Sequence, residues 1–340
     1  MDMPAAIAAV IANQDLDRSD MLDVMRCIMN GEASDAQIGG FLVGLRMKGE
    51  SIDEIVAAAT VMRELSVPVK TELEFLVDTC GTGGSGSNKF NVSTASAFVA
   101  AAAGAKVAKH GNRAASSNSG SADVLEAAGA EIMLSPDQVG RCLDNIGVGF
   151  LFSQSHHAAM KHAIGPRRQL STRTIFNLLG PLTNPAGATR QLIGVFAMQW
   201  VKPVAEVLRD LGSEHVMVVH SEDGLDELSI SAPTHVAELK EGEIREYIVT
   251  PEEFGLRRSP LSELVIEDSQ SSLDLLKKAL SGEHEGATNI VALNAGAAIY
   301  VAGLCDSLSA GVEMARDAIG SGMAKEKMSE FAQFTQAVAG

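Results

Sequence analysis

Over roughly the first 66 residues apolar positions recur with a helical period, and after that they gather into short continuous runs. Ile38, Phe41, Leu42 and Leu45 fall on one helix face, and Ile55, Ala58, Ala59 and Met62 on the next. Each stripe follows a start signal. Ser34 with Gln37, and Ser51 with Glu54, have the capping-box spacing, in which two side chains satisfy backbone N–H groups left over at a helix start. Pro4 suits the first turn of a helix to residue 11, and Ser19 is the cap expected for a second helix that runs to Asn30 and stops at Gly31. The pattern predicts a small all-helical domain over residues 1–70, and helices within about 160–185 are expected to complete it.

Val67-Pro68-Val69 breaks the period and reads as a linker. The remaining residues, 71–340, predict a larger α/β domain. Residues 75–77 and 106–108 read as short strands, and 147–152, 192–197 and 216–219 are continuous apolar runs typical of strands covered on both faces. Helices are expected over 93–103, 123–128 and 201–211, so a central, mostly parallel sheet flanked by helices is the natural architecture. Lys240-Glu241-Gly242-Glu243 has the form of a hairpin turn between edge strands. Residues 323–338 predict a closing helix with Met328, Phe331 and Phe334 on one side.

Composition narrows the function. A net charge of −16 offers no basic field for a polyanion, which argues against nucleic-acid binding. Cys27, Cys80, Cys142 and Cys305 are scattered without a CxxC pair, and no HxxxH or Cys/His cluster occurs, so neither a zinc site nor a disulfide framework is expected. The cysteines read as reduced core residues. No apolar stretch of ~18 residues and no leader pattern is visible, and the expectation is a cytoplasmic protein that does not meet the membrane.

Four loops of the larger domain carry more polar groups than turns require. Residues 78–98, DTCGTGGSGSNKFNVSTASAF, have a strand, glycine loop, helix layout. Gly81, Gly83, Gly84 and Gly86 let the backbone approach a ligand so that N–H groups converge on phosphate oxygens. The helix start adds its positive end, with Ser93 or Thr94 as its expected cap. A second loop, KHGNRAASSNSGS at 109–121, joins two cations to many short donors, the chemistry of phosphates and sugar hydroxyls. The third holds Arg167, Arg168 and Arg173, and a guanidinium fork suits a carboxylate, although any one arginine also fits a surface ion pair. In the fourth, Asp226 and Glu227 stand side by side, where hard oxygens suit Mg²⁺ on a diphosphate. Solvated acids on a turn are the plainer alternative. His110, His156, His157 and His220 match no nucleophile spacing.

GTGGSGSNKFNVSTASAF, KHGNR followed by SSNSGSAD, RTIFNLLGPLTNPA, DGLDELS and LNAGAAIYVAG together resemble the anthranilate phosphoribosyltransferases of tryptophan biosynthesis, nearly end to end. The resemblance implies the two-domain fold of the class II nucleoside phosphorylases and a homodimer joined through the helical domain. It also implies an enzyme that transfers the phosphoribosyl group of 5-phosphoribosyl 1-diphosphate to the amino group of anthranilate, with a pair of Mg²⁺ ions per chain. By position, Gly81, Gly84, Ser85, Lys89, Asn91, Val92, Ser93, Thr94, Lys109, His110, Gly111, Asn112, Arg113, Ala114, Ala115, Ser116, Ser117 and Ser121 surround the phosphoribosyl diphosphate. Gly81, Asn112 and Arg167 contact anthranilate, and Ser93, Asp226 and Glu227 serve the metal. Lys109, Asn112 and Arg167 are the expected catalytic group.

The chain departs from the family pattern in places. Ser85 stands where Asp is common, and Lys89 where a small hydroxyl residue is usual. Gly165-Pro166-Arg167 replaces Pro-Val-Arg, and Ala158 replaces a proline. Two other readings share the architecture: a pyrimidine nucleoside phosphorylase, and a non-catalytic relative that binds nucleic acid.

Overall fold

The computed structural model describes residues 1–83, 87–114 and 117–340. Its helical region contains α1 (Met3–Ile11), α2 (Arg18–Met29), α3 (Asp35–Lys48) and α4 (Ile52–Glu64). Both capping boxes form as expected at Ser34 and Ser51. The Glu54 carboxylate also reaches beyond its own helix, where it accepts from the Leu16 N–H at 2.9 Å and from Lys48 at 2.9 Å. The cap of α2 is Asp17 rather than Ser19. Asp17 accepts from the Asp20 N–H at 2.8 Å, and Ser19 donates its own hydroxyl to the same carboxylate, the stronger acceptor of the two side chains.

The larger region runs β1 (Leu76–Gly81), α5 (Val92–Ala102), β2 (Lys106–Gly111), α6 (Ser121–Ala127), α7 (Pro136–Ile146), β3 (Val148–Phe152) and α8 (Ser153–His156). It continues with α9 (Lys161–Leu170), α10 (Phe176–Leu179), β4 (Arg190–Gly194), α11 (Val201–Asp210) and β5 (His215–Ser221). The hairpin strands β6 (Thr234–Lys240) and β7 (Glu243–Val249) precede α12 (Ser269–Leu280), α13 (Glu285–Val301), α14 (Leu308–Gly320) and α15 (Met323–Ala339).

Among the described residues, seven strands form one sheet in the order β3-β2-β1-β4-β5-β6-β7. Strands β1 to β5 pair in parallel, while β6 and β7 add an antiparallel edge whose turn carries positive φ at Glu241 and Gly242. The expected strand at 75–77 begins one residue later and runs on to Gly81. Phe75 itself has φ 56° and lies exposed, with the Arg190 guanidinium 4.6 Å from its ring centroid.

Two apolar clusters flank the sheet. On one side α5, α12 and α14 pack around α13, most of whose residues are buried, so that it reads as apolar all round, and α7 and α15 extend the same cluster. On the other side the core of α1 to α4 takes in Ala163, Ile175, Phe176, Leu178, Leu179 and Leu182, then continues through α11 to Ile193, Val216 and Val218 of the sheet. The helical region is therefore fastened to the sheet by a shared core. All four cysteines are free; Cys142 is buried and the others are half-buried. Among the described residues no helix is long and apolar enough to cross a membrane.

Candidate active site

The parallel register brings the C-terminal ends of β1, β2 and β4 to one edge, with Gly81 opposite Gly194. From β1 the chain moves outward to β2 and β3, then crosses back to β4 and proceeds to β5. The crevice between β1 and β4 is thus the switch point at which open α/β sheets hold their ligands. The acidic turn after β5 folds directly onto it. A Cβ on Gly81 would stand 2.7 Å from Asp226 Oδ2, and one on Gly194 only 1.6 Å from the Asp226 carbonyl oxygen, so both strand ends require glycine.

Asp226 and Glu227 are nearly buried and share one cation. Lys89 Nζ lies 3.1 Å from Asp226 Oδ1 and 2.8 Å from Glu227 Oε2, and Asp226 Oδ2 also accepts from the Gly83 N–H at 3.0 Å. Burial pushes the Glu227 carboxyl up to about 7 against the pull of Lys89. Burial also raises Asp226, but Lys89 outweighs it and holds that carboxyl below its ordinary range. Burial on its own would lower the Lys89 ammonium, yet Glu227 and Asp226 raise it.

Ser93, Asp226 and Glu227 line the same small cavity with Thr79 and Asn294. Its volume, about 10 Å³, is near that needed by a single water. Two carboxylates and a hydroxyl are hard oxygen donors that fit Mg²⁺. Among the described residues no group of three or more His, Cys, Asp or Glu forms a metal cage.

Lys109 and His110 are not loop residues as expected, because β2 keeps its register with β3 as far as Gly111 opposite Phe152. Lys109 is buried, and its ammonium donates to the Thr79 carbonyl at 2.5 Å and to Ser93 Oγ at 3.2 Å. Burial lowers its pKa, while Asp78 opposes that effect. The buried Asp78 accepts from the His110 N–H at 3.0 Å and from Asn184 at 2.8 Å, tying β1 to β2 and to the GPLTNPA segment. Burial pushes the His110 imidazole down to about 3, with His157 and His156 adding to it. Neutral His110 donates Nδ1–H to the Gly180 carbonyl at 3.2 Å and accepts from Ser153 at 2.9 Å.

Asn91 precedes α5 without a side-chain cap bond, and Ser93 and Thr94 lie inside the first turn instead of capping it. The Asn91 side chain is engaged elsewhere. Its Oδ1 accepts from Ser119 at 2.9 Å and Ser272 at 2.7 Å, and its Nδ2 donates to the Ser119 carbonyl at 3.1 Å. Thr94 Oγ1 meets Ser121 Oγ at 3.1 Å. These bonds join the glycine loop to the serine-rich loop, whose path past Gly120 leaves 2.3 Å between a Cβ there and the Ala114 nitrogen. Asp123 accepts from the N–H groups of Ala114 and Gly120 at 2.9 and 2.8 Å.

Comparison with known proteins fits this geometry. Residues 73–325 match the family described as glycosyl transferase family, a/b domain, and residues 4–66 its helical bundle domain. The anthranilate phosphoribosyltransferase of Cellvibrio japonicus is 61% identical over 99% of this chain and 99% of its own. That of Marinomonas sp. is 62% identical over 99% of this chain and 98% of its own. The chain belongs to the anthranilate phosphoribosyltransferase family. Among solved structures, the Thermus thermophilus anthranilate phosphoribosyltransferase has a TM-score of 0.92 and 43% identity, covering 97% of this chain and 99% of that one. The Saccharomyces cerevisiae enzyme in complex with PRPP and Mg has a TM-score of 0.89 and 25% identity, covering 98% of each chain.

For a member of the anthranilate phosphoribosyltransferase family, the expected site residues are distributed unevenly. Gly81, Lys89, Ser93, Lys109, Asp226 and Glu227 converge at the switch point, and Asn91, Thr94 and Ser121 brace it. Val92 and Thr94 are buried in α5, while Gly111, Asn112, Ala114 and Ser117 lie on or beside the second loop. Arg113 turns its guanidinium to Glu126, with a contact at 2.7 Å, and to Asp123 at 3.2 Å. Arg167 stands apart on α9, half-buried, 5.0 Å from the Phe176 ring centroid and without a hydrogen bond or ion pair among the described residues. Gly84, Ser85, Ala115 and Ser116 lie outside the described residues.

Sequence reasoning gave no role to Asp78, Asn184, Ser153 or Ser272, which support the site from behind. An acid within an apolar strand was the available signal for Asp78. It also missed residues 264–266: the Phe90 N–H donates to Leu264 at 3.0 Å, and Ile266 exchanges contacts with Asn88 and Asn118, pinning both loops.

Proposed function

We propose that this chain transfers the phosphoribosyl group of 5-phosphoribosyl 1-diphosphate to the amino group of anthranilate at the β1/β4 switch point, releasing diphosphate. The observation that carries this reading is the convergence of Gly81, Gly83, Lys109 and the Asp226–Glu227 pair on one crevice in a chain 61% identical to a relative named for that activity.

Departure of diphosphate from C1 develops positive charge on the ribose and negative charge on the leaving group, so the protein must chiefly stabilise charge. Backbone N–H groups of the glycine loop and the Lys109 ammonium meet the leaving group. Ser93, Asp226 and Glu227 would hold Mg²⁺, a pair of ions per chain, which supplies counter-charge to the diphosphate when bound. Gly84, Ser85, Ala115, Ser116 and Ser117 complete the donor cradle in this reading. The aniline nitrogen of anthranilate carries a lone pair at neutral pH, so orientation matters more than a strong base. Arg167 takes the anthranilate carboxylate, which supplies the partner its half-buried guanidinium lacks among the described residues, and Gly81 and Asn112 contact the same substrate. The division at residues 70/71, a homodimer through the helical region and a cytoplasmic location belong to the same proposal.

Anthranilate fluorescence tests it. The signal should fall when protein, 5-phosphoribosyl 1-diphosphate and Mg²⁺ are all present, and a double Asp226→Ala, Glu227→Ala variant should leave it constant. A folded wild-type protein that leaves the fluorescence unchanged, or that releases base from thymidine with phosphate instead, would overturn the reading.

A further inference from the structure

Among the departures from the family pattern, Lys89 stands in direct contact with the acidic pair. Its side chain is about 10% exposed, and its ammonium lies between the carboxylates of Asp226 and Glu227, whose side chains are 8% and 14% exposed. The backbone fixes it there: Lys89 forms an antiparallel bridge with Val265, and its neighbours Asn88 and Phe90 bond to Ile266 and Leu264. A lysine on so tethered a segment is aimed at the acidic pair rather than resting on it by chance. An ammonium and a divalent ion seek the same oxygens, so they compete.

We propose that Lys89 is the resident counter-ion of the Asp226–Glu227 pair, so that a bare divalent ion binds the substrate-free protein poorly and gains the pair only together with a diphosphate, which takes over the ammonium. This rests on the metal assignment of Asp226 and Glu227 above. It makes Lys89 a positioning residue that moves from carboxylate to phosphate as the donor binds. A small hydroxyl residue at this position would leave the pair open to the ion at all times. Two buried carboxylates without a counter-ion are strongly unfavourable, and the lysine removes that difficulty while no substrate is present.

Mn²⁺ binding followed by electron paramagnetic resonance tests this without reference to turnover. In the absence of substrate, Lys89→Met and Lys89→Thr should bind Mn²⁺ at least about tenfold more tightly than wild type, since removal of a competing charge pair is typically worth more than 1.4 kcal/mol. Lys89→Arg should remain weak. Equal affinities for wild type and both neutral variants would overturn the proposal, as would a tight Lys89→Arg. Should the neutral variants be unfolded without metal, the proposal requires Mn²⁺ to restore their circular dichroism, and failure to do so counts against it. In wild-type protein, the slowly exchanging ammonium signal of Lys89 in ¹⁵N-lysine NMR should ignore Mg²⁺ alone and shift with Mg²⁺ plus inorganic diphosphate; a shift with Mg²⁺ alone overturns the proposal. Mn²⁺ binding to wild type in the presence of diphosphate, and its loss in Asp226→Asn and Glu227→Gln, separately tests the metal assignment.

Discussion

The carbonyl of Asp226 lies against Gly194 so closely that a methyl group at Gly194 would sit 1.6 Å from the oxygen. No side chain on that strand end can give way, because the atom in contact is backbone. Gly194→Ala should therefore push the acidic turn away from the glycine loop and break the alignment of Asp226 with Gly83 and Lys89. Displacement of such groups by about 1 Å commonly lowers turnover by about 100-fold. Steady-state rates as a function of Mg²⁺ check this: the expected result is a fall in kcat with a raised Mg²⁺ requirement. Unchanged kcat would mean that the position of the Asp226–Glu227 turn does not matter to the reaction.

Arg167 presents a guanidinium with an aromatic face beneath it and, among the described residues, no ion-paired carboxylate. Arg167→Ala should raise the KM for anthranilate by about 10- to 100-fold, the range for loss of a charge-assisted bond, and leave that for the phosphoribosyl donor within about twofold. Equal changes in both constants would remove Arg167 from carboxylate recognition.

The sequence was most legible where local rules act alone. Capping boxes at Ser34 and Ser51, the hairpin at Glu241-Gly242 and the apolar runs of β3, β4 and β5 were all readable because a few neighbouring residues determine them. Interactions that join distant segments were not. Ser93 and Thr94 looked like caps, yet α5 already begins at Val92, and Asn91 in front of it spends its side chain on Ser119 and Ser272 across the fold. Lys109 read as a loop cation, and only pairing with β3 shows that its stem is buried and its ammonium aimed at Thr79 and Ser93. The acidic pair was visible as two adjacent acids, but its counter-ion, 137 residues away from Asp226 in the chain, was not.

Arg113 illustrates the same limit and yields a third prediction. Its position in KHGNR suggests a phosphate ligand, whereas its guanidinium pairs with Glu126 and Asp123 at the surface. Exposed pairs of this kind contribute about 1 kcal/mol or less. Arg113→Ala should change donor affinity, measured by calorimetry, by no more than about threefold and should leave kcat unaltered. A tenfold loss of affinity would show that the arginine leaves its acidic partners for the substrate.

Far from the crevice, Glu238 on β6 gathers three donors: His215 Nε2 at 2.9 Å, the Tyr300 hydroxyl at 2.8 Å and the Tyr247 hydroxyl at 2.8 Å. Burial alone would raise its carboxyl, but the bonds from His215, Tyr300 and Tyr247 bring it down from the ordinary 4.5 to about 2. A carboxyl with a depressed folded-state pKa stabilises the fold above its unfolded pKa and ceases to do so as pH falls through the folded value. The contribution is thus full above about pH 4.5 and disappears between about 4.5 and 2, with a size of about 2 to 3 kcal/mol. Glu238→Gln should lose that amount at neutral pH and show a flatter loss of stability on acidification, so that the two proteins converge near pH 2. Urea unfolding across this range measures the difference, and parallel curves for the two proteins would show that Glu238 is not depressed in the folded state.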